Sequence, residues 1–159
     1  NFGDACITPE MIDGGSYDFG GTISLCASQT DFGCNNLGAN NVTLIVTDNT
    51  GNQAFCLSTV TVLDTIAPVA VCQDISVVLD NQGQVSITGA TIGANSTDNC
   101  PGGLSYSLSQ SNFNATGTYT VVLTVTDASG NSSTCSSTVT VIDNTPPVAQ
   151  CKNTTIYLE

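Results

Sequence analysis

The sequence predicts an all-β chain made of tandem Ig-like β-sandwich domains in a linear array. Three observations predict it: an internal repeat, short segments rich in β-branched residues, and the lack of any stretch with helical periodicity. Residues 42–72 and 121–151 align without a gap at an offset of 79, and 18 of the 31 positions are identical. Fixed-period self-similarity is typical of repeated domains, so we expect two copies of one module.

Each copy ends in two alternating, β-branched segments joined by a turn. In the second copy these segments are 121–126 and 137–142, and the turn between them contains Gly130, a residue that tolerates positive φ. The first copy repeats the turn at 48–52. Further short strands are predicted at 74–79, 84–88 and 104–109. Short strands with Gly and Asn turns indicate an Ig-like sandwich, in which the last two strands are F and G.

Weaker matches extend the repeat in both directions. Residues 1–18 match 81–98 at an offset of 80, and residues 151–159 match 72–80. We therefore expect a first repeat at 1–64 that lacks its first strand, a second repeat at 65–143, and, at 144–159, a linker with the first strand of a following repeat. A chain with ragged ends is the alternative. Each linker contains proline, which fixes φ and stiffens the connection.

The charge balance excludes several classes of function. The chain carries 13 Asp plus Glu, one basic residue (Lys152) and no His, for a net charge of −12. Nucleic acids and anionic membranes are bound by Lys and Arg, so neither is an expected partner, whereas divalent cations are. No apolar run approaches the roughly 18 residues of a membrane span, so no membrane insertion is expected.

Catalysis is not expected from this composition. Without His, the chain cannot form a Ser–His or Cys–His pair. Two carboxylates could serve a glycosidase, but every Asp lies in a turn, linker or strand end that the repeat already explains. The eight Cys include no CxxC pair, so they indicate disulfides in an oxidising, extracellular compartment rather than a zinc or redox site.

The residues also carry a family resemblance. The pattern TVTD-x-x-GN-x-x-x-C-x-x-TVTV-x-D-x-x-x-P-V-A-x-C, complete in the second copy, resembles the hyalin-repeat (HYR) family, and most closely its arrays in giant surface adhesins of gliding bacteria. The resemblance implies an Ig-like sandwich used in extracellular adhesion, with no catalysis. Members often carry a second Cys pair, in a DNC loop and after F-x. Here Cys34 and Cys100 each lack a counterpart in the other repeat, which leaves open whether they are free or bond neighbouring chains.

One disulfide follows from the expected sandwich. The first strand of an Ig-like sandwich runs beside G, often in parallel, so Cys72 at the start of the first strand is expected to bond Cys135 at the start of G. By the same logic, Cys56 and Cys151 are expected to pair with neighbouring repeats and to be unpaired in an isolated window.

Cys6 and Cys26 have no Cys counterparts in the second repeat. They lie on predicted strands B and C, where the start of B can face the end of C. We favour a Cys6–Cys26 bond, with Cys26–Cys34 as the alternative.

Acidic residues recur at three places that meet at one pole of an Ig-like sandwich: the linker, the B–C loop and the F–G loop. Carboxylate and amide oxygens suit calcium, which takes six to eight oxygen ligands. The alternative is that these are ordinary turn residues, with Asp127 only capping its hairpin. The predicted calcium ligands are Asp64, Asp98, Asn99, Asp127 and Asn131 at the second repeat, Asp18, Asp48 and Asn52 at the first, and Asp143 for a following repeat.

Asp64-Thr65-Ile66 also resembles a short O-glycosylation motif of some gliding bacteria, which makes Thr65 a candidate for a glycan. The leading hypothesis is a structural and adhesive segment of a long, secreted surface adhesin or filament. Its expected partners are neighbouring repeats of the same or identical chains, and a cell surface or extracellular polysaccharide. The alternatives are a carbohydrate- or surface-binding module, and an inert spacer in a secreted enzyme.

Overall fold

The computed structural model of the protein describes residues 4–157, and their contacts divide the chain into two compact units. Unit 1 is Asn1–Val69, Thr97–Ser105 and Thr126–Ser133, and unit 2 is Ala70–Ser96, Tyr106–Val125 and Thr134–Glu159. The repeat boundaries proposed after residues 64 and 143 come from the sequence and stay a prediction.

Unit 1 is built around an antiparallel sheet of three strands. Its elements are β1 (Ala5–Cys6), α1 (Pro9–Ile12), β2 (Ile23–Ala27), β3 (Asp31–Phe32), a 3₁₀ turn (Cys34–Asn36), β4 (Gly38–Asp48) and β5 (Gln53–Val62). The strand order of the larger sheet is β2-β4-β5, and β1 pairs with β3 in a separate two-stranded ladder. The core of this unit contains Phe32, Val42 and Leu44, which are all buried.

The β4–β5 hairpin has the turn that the sequence predicts. Its register runs from Gly38 opposite Val62 to Thr47 opposite Gln53. The amide of Asp48 donates to the carbonyl of Asn52 at 3.0 Å, and Gly51 adopts a φ of 93°. Only glycine occupies that left-handed region without strain, which explains why the turn ends in Gly-Asn.

Unit 2 has the larger main sheet, with four strands instead of three. It contains β6 (Ile75–Val78), β7 (Val85–Ser86), α2 (Gly89–Gly93) and β9 (Asn112–Phe113). It also contains β8 (Ser105–Leu108), β10 (Gly117–Thr126) and β11 (Ser132–Ile142), except for the one or two residues at one end of each that belong to unit 1. One sheet has the order β6-β11-β10-β8, and β7 pairs with β9 in a second. The strands predicted from the sequence are therefore present, and the all-β, Ig-like fold class is confirmed.

The first strand of unit 2 runs in parallel beside the last. Ile75 lies opposite Val139, and Val78 lies opposite Ile142. This is the arrangement expected for the first strand and strand G of an Ig-like sandwich. Because alternate residues of β10 and β11 face inward, they supply most of the core: Val121, Leu123, Val125, Val139 and Val141, with Leu79, Ile87, Ile92 and Phe113 from other elements.

Two short helices are a difference from the sequence prediction. α1 has four residues and α2 has five, so each is little more than one turn and leaves no readable periodicity. In α2, Gly89 and Gly93 permit close packing, because a Cβ on Gly89 would lie 2.2 Å from Cβ of Tyr106 and one on Gly93 would lie 2.3 Å from Cδ2 of Leu123. Among the described residues, no helix has the length and apolar composition needed to cross a membrane.

Candidate metal site

Three segments of unit 1 bring polar side chains to one cluster, which we call the acidic triad: Asp64, Asp98 and Asp127. One carboxylate oxygen from each residue lies within 4.8 Å of the others. Asp64 follows β5, Asp98 precedes β8, and Asp127 follows β10. The triad therefore joins segments that are distant in sequence, and these are the three acids expected to meet.

The hairpin turn after β10 fixes Asp127. Its Oδ1 accepts hydrogen bonds from the amides of Ser129 at 2.9 Å and Asn131 at 2.8 Å, which is the Asx-type capping expected of a turn aspartate. The Asn131 side-chain amide donates to Asp127 Oδ2 at 2.9 Å and to the carbonyl of Asp64 at 3.0 Å. Asn131 thus ties the turn to the segment after β5.

Burial raises the pKa of Asp127, which is only 8% exposed. Hydrogen bonds from the side chain and backbone of Asn131, and from the amides of the turn, outweigh this effect and hold its pKa below the ordinary value. Asp127 is therefore a carboxylate at neutral pH, in the form that can bind a cation.

Asp98 and Asn99 come from the loop before β8, and each presents an oxygen without a donor. Asp98 Oδ2 accepts from the amide of Cys100 at 3.1 Å, and the Asn99 side-chain amide donates to Asp64 Oδ1 at 3.3 Å. Asp98 Oδ1 and Asn99 Oδ1 are buried and accept no hydrogen bond. Buried polar atoms are almost always partnered, so two orphan oxygens beside the triad call for an electropositive partner.

No basic side chain is available to supply that charge. The only Lys or Arg of the chain is Lys152, which belongs to unit 2. Three carboxylates this close repel one another, and the repulsion grows as water is excluded. Carboxylate and amide oxygens are the ligands that hard divalent cations prefer, so the cluster is compatible with such an ion.

The acids predicted to bind calcium at the first repeat and at a following repeat do not form a cluster like the acidic triad. Asp48 Oδ2 accepts from the Asn52 side chain at 2.8 Å, and hydrogen bonds from Asn52 and Thr50 hold the pKa of Asp48 well below its ordinary range. Asp18 accepts from the amide of Gly20 and Asp143 from that of Thr145. Within residues 4–157 none of these acids belongs to a group of three, so a metal at these positions stays a prediction.

Two disulfides cross-link the chain. Cys72 and Cys135 form the expected bond, with Cα atoms 5.8 Å apart, and it joins the segment before β6 to β11. A second bond joins Cys34 to Cys100, with Cα atoms 5.4 Å apart, so these residues are neither free nor bonded to another chain. Cys100 directly follows the acidic loop at Asp98 and Asn99. The sequence contains one sign of the Cys34–Cys100 bond: Cys34 has no counterpart in the second repeat, and Cys100 has none in the first.

The predicted Cys6–Cys26 bond is wrong, and so is the alternative Cys26–Cys34. Cys6 lies opposite Asp31 in the β1–β3 ladder, whereas Cys26 lies opposite Ile45 in the β2-β4-β5 sheet. The two residues therefore belong to different sheets, and both are free and exposed. Cys56 and Cys151 are also free and exposed within the described chain, and their pairing with neighbouring repeats stays a prediction. Thr65, the proposed glycan position, is exposed.

Comparisons with known proteins find likeness only in structure. No protein-family profile matches the chain, and no curated protein matches it by sequence. Fibronectin(III)-like modules of Clostridium thermocellum CbhA are similar over 78% of this chain and 73% of theirs, at 12% identity and a TM-score of 0.34. Extracellular cadherin domains 1–4 of protocadherin gamma B7 are similar over 82% of this chain and 41% of theirs, at 13% identity and a TM-score of 0.38.

Proposed function

We propose that the chain is a structural and adhesive segment of a long extracellular adhesin or filament, in which disulfides and a calcium ion at the acidic triad resist extension. The observation that carries this proposal is that the two disulfide loops overlap in sequence: one runs from Cys34 to Cys100 and the other from Cys72 to Cys135. A pulling force that extends one loop therefore also acts on the other. Such cross-linking suits a protein that is pulled, in a compartment where disulfides persist.

The two disulfides shorten the length to which the unfolded chain can be extended. The shortest covalent path enters at Cys34, crosses to Cys100, returns along the chain to Cys72, and crosses to Cys135 before leaving. That path contains 88 of the 159 residues and extends roughly 300 Å, whereas the reduced chain extends roughly 550 Å. The disulfides therefore limit how far the segment lengthens even after it unfolds.

Calcium is the cation we assign to the triad. The site offers the carboxylates of Asp64, Asp98 and Asp127 and the orphan oxygen of Asn99, all hard oxygen donors. The backbone and side chain of Asn131 already hold the Asp127 turn in place, so the ion would find part of its ligand set preorganised. Calcium would offset the repulsion among the carboxylates and link the segment after β5 to the two loops.

One observation favours a second candidate, a carbohydrate-binding module. Tyr17 and Phe19 pack edge to face with ring centroids 4.9 Å apart, and they are 71% and 94% exposed. Exposed aromatic pairs suit the faces of sugar rings. Two other aromatic residues are not presented in this way, because Phe113 is buried in the core and Tyr106 packs against α2.

One pair of measurements separates the two functions. Pulled between handles at its ends, the oxidised chain is expected to reach a contour length of roughly 300 Å and the reduced chain roughly 550 Å. Equal lengths would contradict the structural proposal. On a glycan array the structural proposal predicts no binding that depends on the exposed pair Tyr17 and Phe19. Saturable binding that is lost in Phe19→Ala, but kept in the exposed control Phe55→Ala, would favour the sugar-binding alternative.

A further inference from the structure

The outer edge of β5 carries backbone groups that no other strand of the described residues pairs with. Within residues 4–157, β5 is the last strand of its sheet and is paired only with β4. Its first residues, including Phe55 and Leu57, are exposed, and so is the free thiol of Cys56. The unpaired amides and carbonyls of an edge strand form a template for another strand.

Unit 2 shows what covers the equivalent edge. β11 corresponds to β5 at an offset of 79, and β6 pairs with it in parallel. Cys135, the counterpart of Cys56, is bonded to Cys72. The hydroxyl of Ser137 donates to the carbonyl of Gln73 at 2.7 Å, and the amide of Thr138 donates to Asp74 Oδ1 at 2.7 Å.

Residues 151–157 repeat the segment 72–78 that contains β6, and they keep the groups that this pairing uses. Cys151 replaces Cys72, and Asn153 replaces Asp74 with its side-chain oxygen acceptor retained. On the receiving strand, Ser58 and Thr59 match Ser137 and Thr138. Residues 151–157 are themselves exposed and lie outside any strand. Residues 4–157 thus contain both an unpaired edge at β5 and a segment that repeats the strand paired at the equivalent edge of unit 2.

We infer that residues 151–157 of one copy of the chain add to β5 of a second copy as a parallel strand, closed by a Cys56–Cys151 disulfide. Transferring the β6–β11 register by 79 residues places Thr154 opposite Val60 and Ile156 opposite Val62. Ile156, which is 80% exposed, would then take the half-buried position of its counterpart Val77 instead of lying in water. The contact is heterologous, so it propagates from copy to copy into a head-to-tail chain.

The covalent step requires an oxidant, and a small-molecule disulfide such as oxidised glutathione supplies it. The Cys56 thiolate attacks a glutathione sulfur, forms a mixed disulfide and releases one glutathione thiolate. The Cys151 thiolate of the neighbouring copy then attacks the Cys56 sulfur and releases the second. Two protein thiols are oxidised to one disulfide, and one glutathione disulfide is reduced to two thiols that take up the two protons.

The test is oxidation of the whole chain in a glutathione redox buffer, read by non-reducing electrophoresis and by mass spectrometry of cross-linked peptides. We expect a ladder of oligomers whose linkages are Cys56–Cys151. Cys56→Ser mixed with Cys151→Ser is expected to stop at a dimer with that linkage, and Cys6→Ser or Cys26→Ser to leave the ladder intact. A statistical mixture of linkages among the four free cysteines would overturn the inference.

A second pair of variants tests the strand pairing apart from the thiols. Ile156→Asp places a charge within the transferred register, whereas Val148→Asp places one on an equally exposed residue outside it. We expect Ile156→Asp to slow Cys56–Cys151 formation at least tenfold and Val148→Asp to leave it near the wild-type rate. Equal rates in both variants would overturn the strand pairing. The inference extends the proposed structural role but depends on neither calcium nor the glycan result, so it can fail while they stand.

Discussion

Replacing Cys72 and Cys135 with serine is expected to destabilise unit 2 by about 4 kcal/mol, because their bond closes a loop that spans 63 residues. That cost approaches the whole stability of a small domain, so much of unit 2 is expected to be unfolded in mild conditions. The bond joins the segment before β6 to β11, and without it the short parallel strand β6 must stay docked through four residue pairs and a few side-chain hydrogen bonds.

Urea unfolding followed by circular dichroism measures this effect. The control is Cys6→Ser with Cys26→Ser, since both thiols are free and exposed and such changes usually stay within about 0.5 kcal/mol. A Cys72→Ser/Cys135→Ser variant that unfolds at the urea midpoint of its control would show that the loop contributes little. In that case the cross-links would not be what holds unit 2 together.

The second large effect is on the thermal midpoint of Asp98→Asn relative to wild type, which is expected to change sign when calcium is added. Without calcium, Asp98→Asn is expected to raise the thermal midpoint, because it removes one of three neighbouring negative charges and places an amide donor among the remaining oxygens. With calcium, the same variant is expected to unfold below wild type, because a charged ligand is lost. Saturating calcium is expected to raise the wild-type midpoint by about 5–15 °C, and Asp98→Asn to lose at least half of that gain.

Asp18→Asn is the matched control, since Asp18 is the counterpart of Asp98 at an offset of 80 and lies outside the triad. With chelator its midpoint is expected to follow wild type, and with calcium it is expected to keep the stabilisation that the triad supplies. If Asp98→Asn and Asp18→Asn respond alike in both conditions, the triad is not a cation site.

The sequence was informative wherever a local pattern decides the structure. Alternating β-branched residues and a Gly-Asn turn predict the β10–β11 hairpin, and the same turn chemistry places Asp127 at its tip. The repeat also indicates which acids belong to equivalent loops, so Asp64, Asp98 and Asp127 could be expected to meet. These features depend on strand alternation and turn preferences, which act over a few residues.

Features that depend on distant contacts were not predictable in the same way. Cys34 and Cys100 bond over 66 residues, and comparing equivalent positions in the two repeats cannot reveal a partner at a non-equivalent one. The sequence does not reveal that Cys6 and Cys26 lie in different sheets, because Cys6 lies on a strand of two residues, whose sheet membership is set by packing rather than pattern. The orphan oxygens of Asp98 and Asn99 likewise exist only once the loop is buried.

The claim that matters most is that this chain holds a calcium ion at the acidic triad, and calorimetric titration of the chelated protein with calcium tests it most directly. The result we predict is a saturable site at the triad, with a Kd of about 10⁻³ M or tighter, that disappears in Asp98→Asn and persists in Asp18→Asn. The absence of saturable binding in the wild type, or binding that survives unchanged in Asp98→Asn, would contradict it.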